Sequence, residues 1–116
     1  MSSNNFILSV INGWNTPISN IKLTFVSDGK PQQPDIPNKL AIGEAVGVPL
    51  VKYDGSDRYT FSFFDGGTTW TTSSDVKIYL NQSGGVALLK PDAGQSAVLT
   101  WSQDGVNKET ASLSKG

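Results

Sequence analysis

The 116-residue chain contains neither histidine nor cysteine, and this removes most of the side chains with which proteins move protons or attack carbonyl carbon. Imidazole acid–base chemistry, thiolate nucleophiles, Ser-His-Asp triads, disulfides and the common zinc sites each need one of these residues. Carboxylates remain. A glycosidase sets two of them about one bond, but Glu44 and Glu109 are the only glutamates, and the eight aspartates fall mostly in turn sequences. Asp54 and Asp57 in Asp54-Gly55-Ser56-Asp57 are explained as turn residues that bond their own backbone; a hard-cation loop brings more oxygens at regular spacing. Gly43-Glu44-Ala45-Val46-Gly47 has neither the lysine nor the following helix of a phosphate loop. The expectation is a protein that is not an enzyme and carries no metal and no cofactor.

The tryptophans are the stronger candidates. Trp14 stands in Asn12-Gly13-Trp14-Asn15-Thr16-Pro17, and Trp70 lies between Thr68-Thr69 and Thr71-Thr72 after Gly66-Gly67. An indole face stacks on the apolar side of a pyranose while amides and hydroxyls meet its oxygens. Trp14, Asn12, Asn15, Trp70, Thr69 and Thr71 are therefore the candidate ligand-binding residues. Burial competes at each position: Trp14 is equally a staple for its loop, Trp70 suits a core, and Trp101 reads as sheet packing.

Nine basic residues against ten acidic give a net charge of −1, with the lysines scattered singly and Arg58 the only arginine. Nucleic acid needs a clustered basic stripe to meet its phosphates, so it is not an expected partner. The longest apolar run, Phe6 to Ile11, is far short of a bilayer span, and no basic segment precedes it as in a secretory leader. A cytoplasmic protein, or one secreted without a classical signal peptide, is expected. Asn81-Gln82-Ser83 matches the glycosylation triplet, a pattern common by chance.

The elements that must carry these residues read as all-β. Period-two alternation dominates, and no window holds an apolar face of helical spacing. Strands are expected at Asn5–Ile11, around Ile21–Val26, at Val46–Tyr53, Arg58–Phe64, Thr68–Thr72, Val76–Leu80, Val86–Leu89, Ala97–Trp101 and Val106–Leu113. Pro49 assigns its strand to an edge, and the three prolines of Lys30–Pro37 predict an extended connection between two sheets. Asp28-Gly29, Asp54-Gly55, Asp65-Gly66 and Asp104-Gly105 can each supply the positive φ of a tight hairpin. A two-residue loop at Asp104-Gly105 would set Trp101 opposite Lys108 and Leu99 opposite Thr110. The expected fold is one domain, 1–116, an antiparallel two-sheet β-sandwich of about eight to ten short strands. Its core would be Leu8, Val10, Ile21, Leu23, Phe25, Tyr59, Phe61, Phe63, Val76, Ile78, Leu80, Val98 and Leu99. Area scaling gives it a folded surface of roughly 6,000 Å².

Phe6-Ile7-Leu8-Ser9-Val10-Ile11-Asn12, then Ile18-Ser19-Asn20-Ile21-Lys22-Leu23, then Leu40-Ala41-Ile42-Gly43-Glu44, resemble the opening layout of the aegerolysin and actinoporin-like β-sandwiches. The resemblance covers about the first 45 residues and carries over no functional residue. It implies a cysteine-poor sandwich that recognises membrane lipids or glycans, in some members as a pore component. The leading expectation is a lectin-like, non-catalytic module for a glycan or glycolipid. The alternatives are a membrane-lipid-binding protein or pore component, and a structural subunit that assembles into a homo-oligomer through an edge strand.

Overall fold

The computed structural model describes residues 3–53, 55–72, 76–78, 85–91, 97–102 and 108–115. All of its regular structure is β: β1 (Ser3–Asn12), β2 (Ile18–Ser27), β3 (Lys30–Gln32), β4 (Lys39–Leu40), β5 (Ala45–Tyr53), β6 (Asp57–Phe64), β7 (Thr69–Thr72), β8 (Val76–Ile78), β9 (Gly85–Pro91), β10 (Ala97–Ser102) and β11 (Lys108–Lys115). The strands join in one path, β3-β2-β6-β7-β11-β10-β9-β1-β5, with β4 added to β2 and β8 to β6. Two separate sheets were expected, but β7 hydrogen-bonds both β6 and β11, and β9 bonds both β10 and β1, so the ladder has no break. The β1–β9 pair is parallel, where an antiparallel fold was expected. Among the described residues the strands number eleven, because Lys30–Gln32 of the proline-rich segment and Lys39–Leu40 beyond it also pair.

The sheet wraps until its ends meet. Phe6 of β1 packs edge-on against Phe25 of β2, ring centroids 6.0 Å apart, although their strands stand near opposite ends of the path. Side chains close the remaining seam between β2–β3 and β5. The Gln32 amide donates to the Val51 carbonyl at 2.6 Å and accepts from the Val51 N–H at 2.8 Å, standing in for a strand residue. The Ser27 hydroxyl accepts from the Tyr53 N–H at 2.8 Å and donates to Asp57 at 2.7 Å, and Lys52 reaches the same carboxylate at 2.7 Å. Pro49 offers no donor at that edge. The molecule is barrel-like, 44 × 26 × 25 Å, with an accessible surface of 6253 Å².

Turn chemistry shows which local signals held. Asp28 and Gly29 have φ of 52° and 74°, and Ser27 pairs with Lys30, the two-residue hairpin that Asp-Gly favours. Asp65-Gly66 heads a longer loop, because Phe64 pairs with Thr69 and the Asp65 N–H donates to the Thr68 carbonyl. Gly55 follows β5 and precedes β6, which pair with β1 and β2 respectively, so that turn joins separate ladders and makes no hairpin; Asp54 lies outside the described residues. Lys30–Gln32 is a true strand on β2, and Lys39–Leu40 returns to the same strand, so the proline segment follows the edge of β2 before the chain crosses to β1.

The β10–β11 register differs from expectation by one residue: Leu99 faces Ala111 and Trp101 faces Glu109. A one-residue slip turns every side chain over. The observed register puts Ala111 and Leu113 inside, whereas the expected one buries Thr110 and Ser112 instead. The loop holding Asp104-Gly105 lies outside the described residues, as do Leu80 and the Asn81 triplet.

Ten of the thirteen expected core residues belong to the buried cluster; Val98 is buried outside that cluster, and Val76 packs against it half-buried. Burial, the competing expectation at the tryptophans, is what the structure shows. Phe6, Trp14, Trp70 and Trp101 are all core, with Trp101 against Phe25 and Tyr59 at centroid distances of 6.0 and 5.3 Å.

Candidate functional site

Two loops meet at the end of the barrel where β1 and β6 finish. The first, residues 13–17, is organised by Asn12, which is fully buried. Its side-chain oxygen accepts from the Trp14 N–H at 2.9 Å, and its amide nitrogen donates to the carbonyls of Thr16, Leu40 and Ala41 at 3.1–3.2 Å. Asn12 therefore spends its hydrogen-bonding groups on the loop and is a structural residue. Gly13 completes the anchor: its N–H donates to the Leu89 carbonyl at 2.7 Å, and a Cβ there would stand 2.6 Å from that oxygen. Thus the chain between β1 and β2 is bent inward, and Trp14, a loop residue by sequence, is only 6 % exposed.

The second loop is organised by Asp65. One carboxylate oxygen accepts from the N–H groups of Gly67 and Thr68 at 2.9 and 2.7 Å; the other accepts from the Trp70 indole N–H at 2.9 Å. Burial pushes this carboxyl up, but the bonds from Trp70, Gly67 and Thr68 outweigh it and hold the group below its ordinary value. It is an anion and an acceptor, unsuited to donating a proton near neutrality. The Thr16 hydroxyl donates to the Asp65 carbonyl at 3.2 Å and ties the two loops together.

Between them lies a cleft of about 480 Å³ walled by Trp14, Asn15, Thr16, Asp65, Thr68, Trp70, Pro91 and Lys115. Trp14 and Trp70, 56 residues apart in the chain, touch at a centroid distance of 5.5 Å, and Trp14 also packs on Phe63 at 5.6 Å. Lys115 pairs with Trp70 across β11–β7 and holds its ammonium 5.9 Å from the indole centroid, within cation–π range. The Asn15 amide and Thr68 hydroxyl line the cleft and are not used by the loop bonds above.

Of the six expected residues, the structure gathers Trp14, Asn15 and Trp70 in this cleft. Asn12 lies behind it as the loop anchor. Thr69 and Thr71 flank Trp70 on a strand, so alternation turns them to the opposite face, away from the cleft. Asp65, Thr68, Thr16, Pro91 and Lys115 were not anticipated. Asp65 had a local signal, since an aspartate ahead of Gly-Gly-Thr bonds the following N–H groups, but Pro91 and Lys115 arrive only through strand pairing. Glu44, whose carbonyl accepts from the Asn12 N–H, is at this end, and Glu109, opposite Trp101, is at the other; the two glutamates do not flank a common point. Among the described residues no three acidic, histidine or cysteine side chains cluster as a metal site would require, and no helix is long and apolar enough to cross a membrane.

No protein-family model matches the chain, and no curated protein matches it either.

Proposed function

We propose that the protein is a non-catalytic recognition module that binds a glycan in the Trp14–Trp70 cleft. The observation that carries this reading is the convergence of two loop-anchored indoles with Asn15, Thr68, Asp65 and Lys115 around one opening. Sugars are bound by apolar walls with a few fixed polar groups. Here Asp65 is a fixed acceptor, Lys115 a donor, and the Asn15 amide offers both. Because Trp14 packs on Trp70 and Phe63 and the two indoles are only 6 % and 7 % exposed, the polar groups carry more of the specificity than face stacking would.

A glycan-array screen of the labelled protein at low and high salt tests the reading. Specific hits that persist in high salt and vanish in Asn15→Ala and Lys115→Ala support it. A blank array, or hits indifferent to both substitutions, sinks it.

One observation favours a second reading, engagement of a membrane-lipid surface. The outward faces of β5, β1 and β9 carry several aliphatic side chains, interrupted by Asn5, Ser9 and Gly47. Ile7, 56 % exposed, pairs with Pro49, and Ile11 lies beside Leu88, with Val51 and the exposed Val86 on the same face. Sedimentation with sphingolipid or sterol liposomes lacking glycolipid separates the two, since a pure lectin ignores such vesicles. Velocity sedimentation of the protein alone detects the homo-oligomer that the same face would otherwise serve. Self-pairing along β5 has less to work with, because Gln32 and Ser27 already hold the edge groups of Val51 and Tyr53.

A further inference from the structure

Residues 30–40 follow one edge of β2 and are laddered to it only at their ends, through β3 at residues 25–27 and through β4 at residues 18–19. Gln32 and Lys39 are seven residues apart, about 23 Å when extended, and their partners Phe25 and Ser19 are six apart, about 20 Å. The intervening residues 33–38 therefore have little slack and run beside β2. β5 flanks them on the other side, because the Gln32 amide bonds Val51 at one end and the turn through residues 41–44 enters β5 at the other. Exposure alternates along this stretch: Gln33, Asp35 and Pro37 face out, Pro34 and Ile36 are half-buried, and Ile36 packs against the core. It sits as a strand would, but Pro34 and Pro37 have no N–H to give. Among the described residues its one backbone–backbone bond runs from the Asn20 N–H to the Asn38 carbonyl, at 3.0 Å.

The β5 side of the seam is equally bare. Val51 turns both its N–H and its carbonyl to Gln32, away from β1, and Tyr53 turns its N–H to Ser27. Antiparallel pairing repeats this direction every second residue, and the β1–β5 register runs unbroken from Ser3↔Tyr53 to Ile11↔Ala45. Pro49, Gly47 and Ala45 therefore turn their backbone groups to the same edge, where Pro49 has only a carbonyl. Among the described residues no hydrogen bond meets those groups there, and β5 is laddered to β1 alone. Both ends of the stretch are fixed, by Gln32 on Val51 and by the Asn12 amide on the Leu40 and Ala41 carbonyls at 3.1 and 3.2 Å.

We propose that residues 33–38 are a releasable strap, which lifts off the seam as one unit between its fixed ends while the laddered strands stay paired. Lifting it breaks one backbone hydrogen bond and uncovers what two half-buried side chains cover. β10, by contrast, is laddered along its whole length to β9 and β11. Local opening is drawn from segments bonded as sparsely as the strap. Release bares a strand edge with no charged side chain from Ala45 to Val51, so the seam is where the folded protein exposes an edge open to pairing.

Hydrogen-exchange NMR of the ¹⁵N-labelled protein tests this, because the acceptor of the Asn20 amide leaves with the strap. The Asn20 amide should be protected, but about 100-fold less than the Thr100 and Trp101 amides of β10. Ile36→Ala weakens the closed strap and should speed Asn20 exchange about tenfold. Leu99→Val weakens the body of the barrel and should speed exchange at Thr100 and Trp101 about fivefold, with no change at Asn20. An unprotected Asn20 amide overturns the proposal, since the bond that holds the strap is then not formed. Asn20 exchange that rises with Thr100 and Trp101 in Leu99→Val also overturns it, by placing the strap in the global unfolding unit. Asn20 exchange indifferent to Ile36→Ala does so too, by assigning the opening to the irregularity in β2 between Ser19 and Lys22. The strap is independent of the glycan reading, because Asn12 keeps Leu40, Ala41 and the Trp14 loop in place during release.

Discussion

Replacing Asn12 with alanine should be the most damaging single polar substitution at the cleft end of the barrel. Asn12 is fully buried and makes four side-chain contacts: one accepted from the Trp14 N–H, and three donations to the carbonyls of Thr16, Leu40 and Ala41 shared between its two amide protons. The bonds to Trp14 and Leu40 are buried, while those to Thr16 and Ala41 are only partly so and can recover water. Each buried group left without a partner costs about 1–3 kcal/mol; with the cavity left by the missing amide, the total is about 3–5 kcal/mol. Against a typical stability of about 5–15 kcal/mol this is a large fraction. For an m value of about 2 kcal/mol per molar urea, the midpoint should fall by about 2 M with m unchanged. Urea unfolding followed by far-ultraviolet circular dichroism measures it, and near-ultraviolet dichroism reports whether Trp14 loses its fixed packing. Asn12→Asp keeps the acceptor for the Trp14 N–H but turns an oxygen towards three carbonyl oxygens, so it should be worse still near neutral pH. A loss below about 1 kcal/mol for Asn12→Ala would refute the claim that this amide builds the loop.

Gln32→Ala removes the side chain that bonds both backbone groups of Val51; it should cost about 1–2 kcal/mol and speed hydrogen exchange of the Val51 amide, and unchanged exchange there would count against the seam. The Asp65 carboxyl is held below its ordinary value, so its contribution to stability is complete above the unfolded carboxyl pKa and is lost as pH falls through the folded one. In a ¹³C carboxyl titration, Trp70→Phe should move Asp65 upward by removing the indole donor; an Asp65 that already titrates at or above the ordinary value would contradict this. Burial first, and Glu109 second, push the Tyr59 phenol from 10.0 to about 12. Its stabilising contribution is complete below pH 10 and is lost as pH rises towards about 12. In a spectrophotometric alkaline titration one of the three tyrosines should ionise late, and that late step should be missing in Tyr59→Phe.

Local rules carried far in this chain where the geometry is local. Asp28-Gly29 formed the two-residue hairpin its residue types favour, Pro49 fell on the strand that ends the path, and Tyr59, Phe61 and Phe63 alternated into the core as their spacing requires. The same rules failed where two solutions were locally equal. Asp104-Gly105 permits a loop of either parity, and the choice fell to the register that buries Ala111 and Leu113 rather than Thr110 and Ser112.

The candidate cleft divides in the same way. Asn12, Asn15 and Asp65 sit in turn sequences, and their role in shaping loops belongs to residue type. Whether Trp14 faces water or core is set by the Leu89 and Leu40 carbonyls that hold its loop from strands distant in sequence. Thr69 and Thr71 are excluded from the cleft only because β7 is a strand pinned between β6 and β11.

By itself, then, the sequence determined that the protein would be all-β, that Asp28-Gly29 could close a tight hairpin, and that chemistry through imidazole or thiol is excluded, because these follow from side-chain period, backbone φ preference and the residues present. Only the tertiary structure decided that the strands join into one wrapped sheet, that Lys115 meets Trp70, and that Tyr59 and Trp101 bury donors with no partner among the described residues. Those outcomes depend on which strands pair, and pairing is settled by the joint burial of apolar faces drawn from the whole chain, which no local window contains.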